Sequence, residues 1–232
     1  MTGKRKASGD GISRKVQKVT TVSRTEGAME NLEQKTAKLE RELRRLKTTR
    51  ERKYYEYAVT TPATFGTTSI VYNICQPGQG INQVERIGDV VQPSFLHFRG
   101  VVDSAPGSTV ASIARITVIQ RKDGLIPTGD TTALTRVYGT GIGTAAAPVT
   151  QYHWDNRDDF IVLHDETVRL SPLGQDDSQH VIEISRRLKN KVYFQNGATT
   201  VERGGIYLLL TSSLGATSPR AFFTSRVTYF DD

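Results

Sequence analysis

The sequence predicts an all-β protein, an eight-stranded single jelly-roll sandwich that follows a basic disordered arm and an N-terminal α-helix. The first observation is that residues 54–232 hold eight segments rich in Val, Ile, Thr, Tyr and Phe, separated by clusters of Gly, Pro, Asp and Ser. The second is alternation, since Phe223, Val227 and Tyr229 fall on one face of the last segment. Eight strands with long connections favour two packed sheets over a small barrel.

The strands are predicted from composition and from the turn residues between them. They lie at residues 54–60, 68–75, 94–102, 112–121, 160–170, 180–194, 205–211 and 222–230. Three connections are long for a compact domain, at residues 103–110, 122–133 and 139–156. Long loops usually carry contacts with partners, so we expect binding or assembly surfaces there.

The positive charge of the chain is concentrated at its N-terminal end. Residues 1–53 contain sixteen Lys and Arg and seven Asp and Glu, a net charge of +9. The whole chain has a net charge of only +7, so residues 54–232 sum to −2. A local basic segment of this kind is typical of proteins that bind a polyanion, most often nucleic acid.

Residues 1–22 are predicted to form a disordered arm, because few apolar residues are available there to offset the entropy of ordering. The predicted nucleic-acid-binding cations of the arm and the following helix are Lys4, Arg5, Lys6, Arg14, Lys15, Lys18, Arg24, Lys38, Arg41, Arg44 and Arg45. Two alternatives stay open: a solvated tail, and a nuclear-localisation signal built from the clusters at 4–6 and 14–15. Binding should tolerate sequence and respond to salt, since no aromatic stacking platform accompanies these cations.

Residues 23–53 are predicted to form an amphipathic helix. Ser23 and Glu26 match the capping box, which satisfies free amides of a first helical turn. Apolar side chains then recur at spacings of three and four, the pattern of a helical bundle. The predicted seam consists of Met29, Leu32, Leu39, Leu43 and Leu46. We expect this narrow seam to pack against neighbouring copies or under the body; a short homotypic coiled coil without a nucleic-acid role is the alternative.

The sequence lacks the common signatures of catalysis and of metal binding. Cys75 is the only cysteine, which excludes an intrachain disulfide and a cysteine-based zinc site. The four His form neither an H-x-H nor an H-E-x-x-H pair, and no G-x-S-x-G occurs. The longest apolar run, residues 206–210, is too short to span a bilayer. We therefore expect no enzyme activity, no cofactor and no membrane partner.

An ordered set of short motifs in the β body resembles a family of viral coat proteins. Residues 78–102 carry Ile-Asn-Gln at 81–83, Arg-Ile-Gly-Asp at 86–89 and Arg-Gly at 99–100. This stretch is similar to the coat proteins of satellite-tobacco-necrosis-type viruses and of small circular single-stranded DNA (Rep-encoding) viruses. Further segments that resemble these proteins lie at residues 115–123, 160–165, 204–209 and 225–231.

The resemblance implies a capsid protein, sixty copies of which would close a T=1 icosahedral shell. The helices would cluster under symmetry axes, and the basic arms would face a single-stranded genome. The implied location is the virion, with the host nucleus during assembly. A basic arm binds DNA and RNA alike, but the two basic clusters favour a single-stranded DNA virus.

One feature of the satellite coat proteins is missing here. Their acidic loop before Ile-Asn-Gln is replaced by Pro-Gly-Gln-Gly at residues 77–80, which offers no carboxylate for a cation on the fivefold axis. A second calcium site could use Glu51 and Asp231, but Ile87 stands where the resemblance requires a polar ligand. We therefore predict no metal.

The sequence thus predicts a coat protein that self-assembles and packages single-stranded nucleic acid through its arm. The alternative is a cellular nucleic-acid-binding β-sandwich oligomer that is held together by an N-terminal coiled coil. The two differ in size, because the first forms megadalton shells and the second a small oligomer.

Overall fold

A computed structural model describes residues 32–42, 51–122, 136–139, 142–215 and 218–231. The chain divides into two compact units, residues 1–50 and 51–232. In the first unit, residues 32–42 form an α-helix in which every residue is exposed. The Thr36 hydroxyl donates a hydrogen bond of 2.9 Å to the Leu32 carbonyl oxygen, one turn earlier. The predicted disordered arm at 1–22 and the remaining part of the predicted helix before residue 51 lie outside the described residues.

In the described part of the second unit, β-strands are joined by loops and two short 3-10 turns. The described strands are β1 (Arg52–Thr64), β2 (Ile70–Asn73), β3 (Val90–Asp103), β4 (Ser112–Arg121), β5 (Phe160–Leu170), β6 (Gln179–Arg187), β7 (Val192–Phe194), β8 (Val201–Arg203), β9 (Ile206–Ser212) and β10 (Arg220–Asp231). Each of the eight predicted strands is present, but the described residues form ten, so the predicted count of eight is not confirmed.

The difference comes from a short hairpin formed by β7 and β8. The predicted strand at 180–194 is interrupted at 188–191, and the three-residue strand β8 was not predicted. Strands of three residues are too short for alternation to be visible in a sequence. The hairpin depends on Gly204, whose φ of +78° lies in the left-handed region and where a Cβ would stand 2.0 Å from the Lys191 carbonyl oxygen.

The strands form two antiparallel sheets, which confirms the all-β sandwich. The six-stranded sheet has the order β1-β10-β3-β7-β8, and β6 also pairs with β3. The four-stranded sheet has the order β2-β9-β4-β5. The main core lies between the sheets and includes Leu96, Phe98, Ile116, Leu208 and Phe223, all buried. Inward and outward residues alternate along β10 as predicted, with Phe223, Val227 and Tyr229 buried.

The two sheets differ in what covers their outward faces. A second apolar cluster, which includes Ile119, Tyr138, Phe160 and Leu209, covers the four-stranded sheet on its outward side. Every residue of β9 is consequently buried. Along the strands of the six-stranded sheet, buried and exposed side chains alternate instead, as they do in β6. Within the described residues its outward face therefore remains open to solvent.

The predicted helix extended to residue 53, but Arg52 and Lys53 belong to strand β1. The prediction was wrong there because Lys53 serves a tertiary contact. Its side chain is only 1% exposed, and its Nζ lies 2.9 Å from the Asp231 carboxylate. The same Nζ donates to the Glu85 carbonyl oxygen at 2.9 Å. A buried lysine needs such partners, and a sequence pattern does not show them.

Candidate nucleic-acid interface

Four of the residues predicted from the sequence to bind nucleic acid or to form the seam are described. Lys38 and Arg41 are exposed on the helix at residues 32–42. Leu32 and Leu39 are 63% and 62% exposed, so the described part of the seam is uncovered in the single chain. The other predicted residues lie outside the described part of the chain, namely Lys4, Arg5, Lys6, Arg14, Lys15, Lys18, Arg24, Arg44, Arg45, Met29, Leu43 and Leu46.

The body adds a surface that sequence reasoning missed. We call it the open face: the outward-pointing side chains of β1, β10, β3 and β6. The strand register arranges them in rows that cross the four strands. Three consecutive rows are Tyr54–Thr228–Phe95–Arg187, Glu56–Arg226–His97–Ser185 and Ala58–Thr224–Arg99–Glu183.

The open face is more positive than the rest of the body. Its charged side chains are Arg52, Arg99, Arg187, Arg220, Arg226, Glu56, Asp103 and Glu183. Five cations against three acids give this face a net charge of +2, whereas the whole second unit, residues 51–232, holds seventeen cations and eighteen acids, a net charge of −1. All five cations are arginines, whose planar guanidinium groups bind phosphate in a bidentate way and stack on rings.

Among the described residues the open face has three ion pairs; the pair of Arg220 with Asp103 is largely buried, at 24% and 6% exposed, and the other two are exposed. Arg226 Nε donates to the Glu56 carboxylate at 2.7 Å, and the side chains are 57% and 53% exposed. Arg99 lies 3.6 Å from Glu183, with side chains 74% and 67% exposed. Exposed pairs of this kind contribute about 0–1 kcal/mol. Their arginines can therefore exchange the carboxylate for another anion at little cost.

Aromatic rings lie among these arginines. The rings of Phe95 and His97 have centroids 4.5 Å apart, and the Arg226 guanidinium carbon lies 5.2 Å from the centroid of the Tyr54 ring. The sequence signal was the alternation of Phe95, His97 and Arg99 along one strand. It was missed because Tyr54 and Arg226 join them only through the register.

The rows enclose a hollow in the middle of the open face. Its volume is about 490 Å³. The small side chains of Ala58, Ser185 and Thr224 line it, and His97 and Arg226 are among the larger side chains around it. A shallow hollow rimmed by rings and guanidinium groups suits a flat, partly anionic ligand.

A second exposed surface is apolar and lies in the connection between β2 and β3. We call residues 78–89 the apolar loop, because Ile81, Val84 and Ile87 are 88%, 43% and 59% exposed. The fully buried Arg86 holds this loop in place. Its guanidinium donates to the Asp89 carboxylate at 2.9 Å and to the Ala198 carbonyl oxygen at 2.5 Å. The apolar side chains are thus presented on a fixed backbone.

The region proposed for calcium is occupied by a protein cation. Asp231 Oδ2 accepts a hydrogen bond from the Ile87 amide at 3.2 Å and pairs with Lys53 Nζ. Glu51 is exposed. Among the described residues, no group of three or more His, Cys, Asp or Glu is arranged to hold a metal ion. The predicted absence of a metal stays a prediction.

An ion pair between a buried arginine and an aspartate whose side chain is 28% exposed lies on the other sheet, beneath the second apolar cluster. Arg115 donates from Nε and Nη2 to the two carboxylate oxygens of Asp165, both at 2.7 Å. The Arg115 guanidinium carbon lies 4.7 Å from the ring centroid of Tyr138 and 4.9 Å from that of Tyr152. Burial raises the pKa of Tyr138 to about 12, against the hydrogen bond to Thr117 and the charge of Arg115, which lower it. All four side chains are engaged in this packing, which makes the cluster structural.

Three titratable side chains connect the two sheets where β5 meets β6. The Glu166 carboxylate lies 3.2 Å from His164 Nε2 and 2.9 Å from His180 Nε2. His164 and Glu166 belong to β5, and His180 belongs to β6.

In the part of the chain that is described, no helix has the length and apolar character needed to cross a membrane.

No family model matches the chain, and no curated protein matches it. Among solved structures, a chain of infectious bursal disease virus Gx strain is similar at 8% identity, covering 77% of this chain and 32% of that one, with a TM-score of 0.32. Desmodium yellow mottle tymovirus is similar at 13% identity, covering 77% and 85%, with a TM-score of 0.32. Turnip yellow mosaic virus is similar at 9% identity, covering 77% of each chain, with a TM-score of 0.32. Likeness at this level supports no statement about function, which has to be inferred from the residues of this chain.

Proposed function

We propose that this chain is the coat subunit of a small virus, which assembles with copies of itself and packages a single-stranded nucleic-acid genome. The observation that carries the proposal is the separation of charge: +9 in residues 1–53 and −2 in residues 54–232. A near-neutral body allows many copies to pack without strong mutual repulsion, while a cationic segment associates with phosphates.

We propose that the body is a single jelly roll. Leaving out the β7–β8 hairpin, the paths through the sheets are β1-β10-β3-β6 and β2-β9-β4-β5. The first four strands therefore alternate between the two sheets. The later strands then pair with the earlier ones in reverse order, so that β9 lies beside β2 and β10 beside β1, as in two nested Greek keys. The hairpin of β7 and β8 is then an insertion between β6 and β9, the sixth and seventh strands of that framework. This fold is found in capsids but also elsewhere, so it supports the proposal without carrying it.

Exposed apolar side chains on fixed loops supply candidate contacts between copies. Ile81 and Ile87 of the apolar loop are more than half exposed, and so is Trp154 at 73%. The Trp154 ring carries the Arg157 guanidinium at 4.0 Å from its centroid. Tryptophan and arginine are enriched among the residues that dominate interface energies. Leu32 and Leu39 would bundle with neighbouring helices in the same assembly.

The proposed shell contains sixty copies in T=1 symmetry. Residues 1–50, which precede β1, hold fourteen cations and six acids, a net charge of +8. Sixty such segments supply about 480 positive charges, enough to pair with a large share of the phosphates in a genome on the order of a thousand nucleotides. The proposed location is the virion, and the clusters at residues 4–6 and 14–15 would direct the protein to the host nucleus for assembly. The proposal involves no enzymatic step, no cofactor and no membrane.

A cellular nucleic-acid-binding oligomer is the second candidate. The exposed Leu32 and Leu39 favour it as well, since a helical seam can hold a small oligomer as readily as it can line a shell. Sedimentation distinguishes the two candidates, because a coiled-coil oligomer stays small at every protein concentration and ionic strength.

The test uses the full chain in two matched variants. In one, the seven cations of residues 1–24 are replaced by Gln; in the other, each Lys among them is exchanged for Arg and each Arg for Lys. Electron microscopy should show particles for the wild type and the charge-retaining variant. The ratio of absorbance at 260 and 280 nm should show that co-purified nucleic acid is largely lost only in the Gln variant. Small monodisperse protein at every ionic strength would overturn the proposal.

A further inference from the structure

We infer that the open face is a second binding site for single-stranded nucleic acid, in which bases stack on Tyr54, Phe95 and His97 and phosphates pair with the neighbouring arginines. The inference rests on the proposed function for its class of ligand. This site differs from the proposed basic arm in two ways. It lies in the folded body, and it binds by base stacking as well as by charge.

Charge complementarity identifies a polyanion as the occupant. The open face carries a net charge of +2 within residues 51–232, whose total is −1, so the rest of this unit carries −3. Arg52 and Arg187 have no ion-pair partner among the described residues, while Arg99 and Arg226 hold theirs in exposed pairs. A second copy also carries exposed acids, at Asp155, Asp158, Asp159, Asp176 and Asp177, so contact between copies is tested below as the competing outcome.

The rings favour nucleic acid over other polyanions. Tyr54 and Phe95 are half-buried and His97 is exposed, so each presents part of its ring to solvent. Tyr54 and Phe95 lie in one row, and His97 lies in the next row beside Arg226. Stacking of a base on an aromatic side chain contributes about 1–3 kcal/mol and tolerates any base. Arginine adds stacking through its own planar group.

The spacing of the rows favours a single strand over a duplex. Successive rows lie two residues apart along each strand, which corresponds to about 7 Å. That distance is about twice the 3.4 Å base step of a stacked strand in B-DNA. A strand whose bases are unstacked and spread over the sheet matches the rows, whereas a continuous stack does not. The hollow of about 490 Å³ lies between two of the rows and offers room for one base.

The experiment measures binding by the full chain with its seven arm cations and the four predicted helix cations, Lys38, Arg41, Arg44 and Arg45, replaced by Gln, so that the open face dominates. The probe is a fluorescein-labelled single-stranded 20-mer of dT, with a duplex of the same length for comparison. Fluorescence anisotropy is recorded across a series of salt concentrations. One test variant combines Arg99→Gln with Arg226→Gln, and a second combines Tyr54→Leu with Phe95→Leu.

Control variants place similar changes outside the open face. Arg169→Gln removes an exposed arginine of β5, and Tyr193→Leu removes a half-buried ring of β7. Thermal unfolding of each variant confirms that it is folded. If the Tyr54 and Phe95 variant fails to fold, Thr224→Glu introduces an acid at an exposed position of the open face, with Thr167→Glu on β5 as its control.

The two test variants should differ in a way that only a stacking site produces. Loss of two phosphate contacts should lower the slope of log affinity against log salt by about 1.4. Loss of the rings should weaken binding about tenfold, the equivalent of about 1.4 kcal/mol, without changing the slope. Thr224→Glu should weaken binding several-fold, and the controls should leave affinity and slope unchanged.

Photo-crosslinking with a strand containing 5-bromouracil locates the contact directly. Adducts at Tyr54, Phe95 or His97 are expected. The inference is overturned if the arm-neutralised chain does not bind the strand, if test and control variants bind equally, or if adducts avoid the open face. Contacts of the open face with another copy or with residues 1–50, detected by protein crosslinking in the presence of the strand, would also overturn it. Particle formation by the wild type is scored separately by microscopy, so failure of the coat proposal remains distinguishable from failure of this site.

Discussion

Arg115 on the four-stranded sheet and Arg226 on the six-stranded sheet both pair with a carboxylate of a neighbouring strand, in opposite surroundings. The Arg115 side chain is 7% exposed and stacks against two tyrosine rings. The Arg226 side chain is 57% exposed and sits on an open sheet. Two arginine–carboxylate pairs of the same chemistry therefore have different roles: the first holds loop and sheet together, and the second leaves its guanidinium available to a ligand.

The physical reason is the cost of leaving a charge unpaired. Removing one partner of a buried pair leaves the other charge without water or counter-charge, which costs several kcal/mol. An exposed charge is simply hydrated when its partner leaves. Removing one charged partner of each pair at a time tests this difference.

The largest effect is expected for Asp165→Asn. The substitution leaves Arg115 buried without an anion, and the amide cannot accept both guanidinium hydrogen bonds. We expect the free energy of unfolding to fall by about 3–5 kcal/mol, measured by urea denaturation of dispersed protein. The double variant Arg115→Leu/Asp165→Leu should be less destabilised than Asp165→Asn. An effect below about 1 kcal/mol for Asp165→Asn would show that the pair is not structurally buried.

A smaller loss is expected for Lys53→Met. The cation is 1% exposed, but the Asp231 side chain is 16% exposed and can gain some hydration. Loss of the charged hydrogen bonds should lower the free energy of unfolding by about 2–3 kcal/mol. Hydrogen exchange at the Ile87 and Tyr54 amides should also increase, because Lys53 ties the apolar loop to β1 and β10. Unchanged exchange at these two amides would show that Lys53 does not hold the apolar loop in place.

The Asp165 pair should also make stability depend on acid pH. Burial raises the pKa of the Asp165 carboxyl, but hydrogen bonds from Arg115 and Thr117 and the charge of Arg115 outweigh it and hold the pKa below the ordinary value of 3.8. A carboxyl with a lowered folded-state pKa stabilises the fold above its unfolded pKa, and this contribution is lost as pH falls through the folded value. Wild-type stability should therefore fall below about pH 4. The Asp165→Asn variant should show a shallower decline; an equal decline would place the acid sensitivity in other carboxyls.

The smallest effect is expected for Glu56→Gln. Both members of its pair with Arg226 are more than half exposed. The free energy of unfolding should change by no more than about 0.5 kcal/mol. The same variant should bind the single-stranded probe more tightly, because the open face gains one unit of positive charge. A loss of stability above about 1 kcal/mol would contradict the description of this face as open.

The strands could be predicted because alternation is a local property. The face of β10 that carries Phe223, Val227 and Tyr229 was predicted and is buried. The hairpin of β7 and β8 was not predicted, since three residues carry no visible period. Lys53 was placed in the helix because its neighbours favour a helix, whereas its burial depends on Asp231 at the far end of the chain.

The β composition of the body, the faces of its long strands and the separation of charge between residues 1–53 and 54–232 could be predicted from the residues alone, because they depend on the order and type of residues along the chain. Which arginine is buried and which is open depends on the packing of the two sheets, and strand pairing places Tyr54 in one row with Phe95 and Arg187. The reason is that strand register joins residues more than a hundred positions apart, and no local pattern of residues specifies which strands will be neighbours.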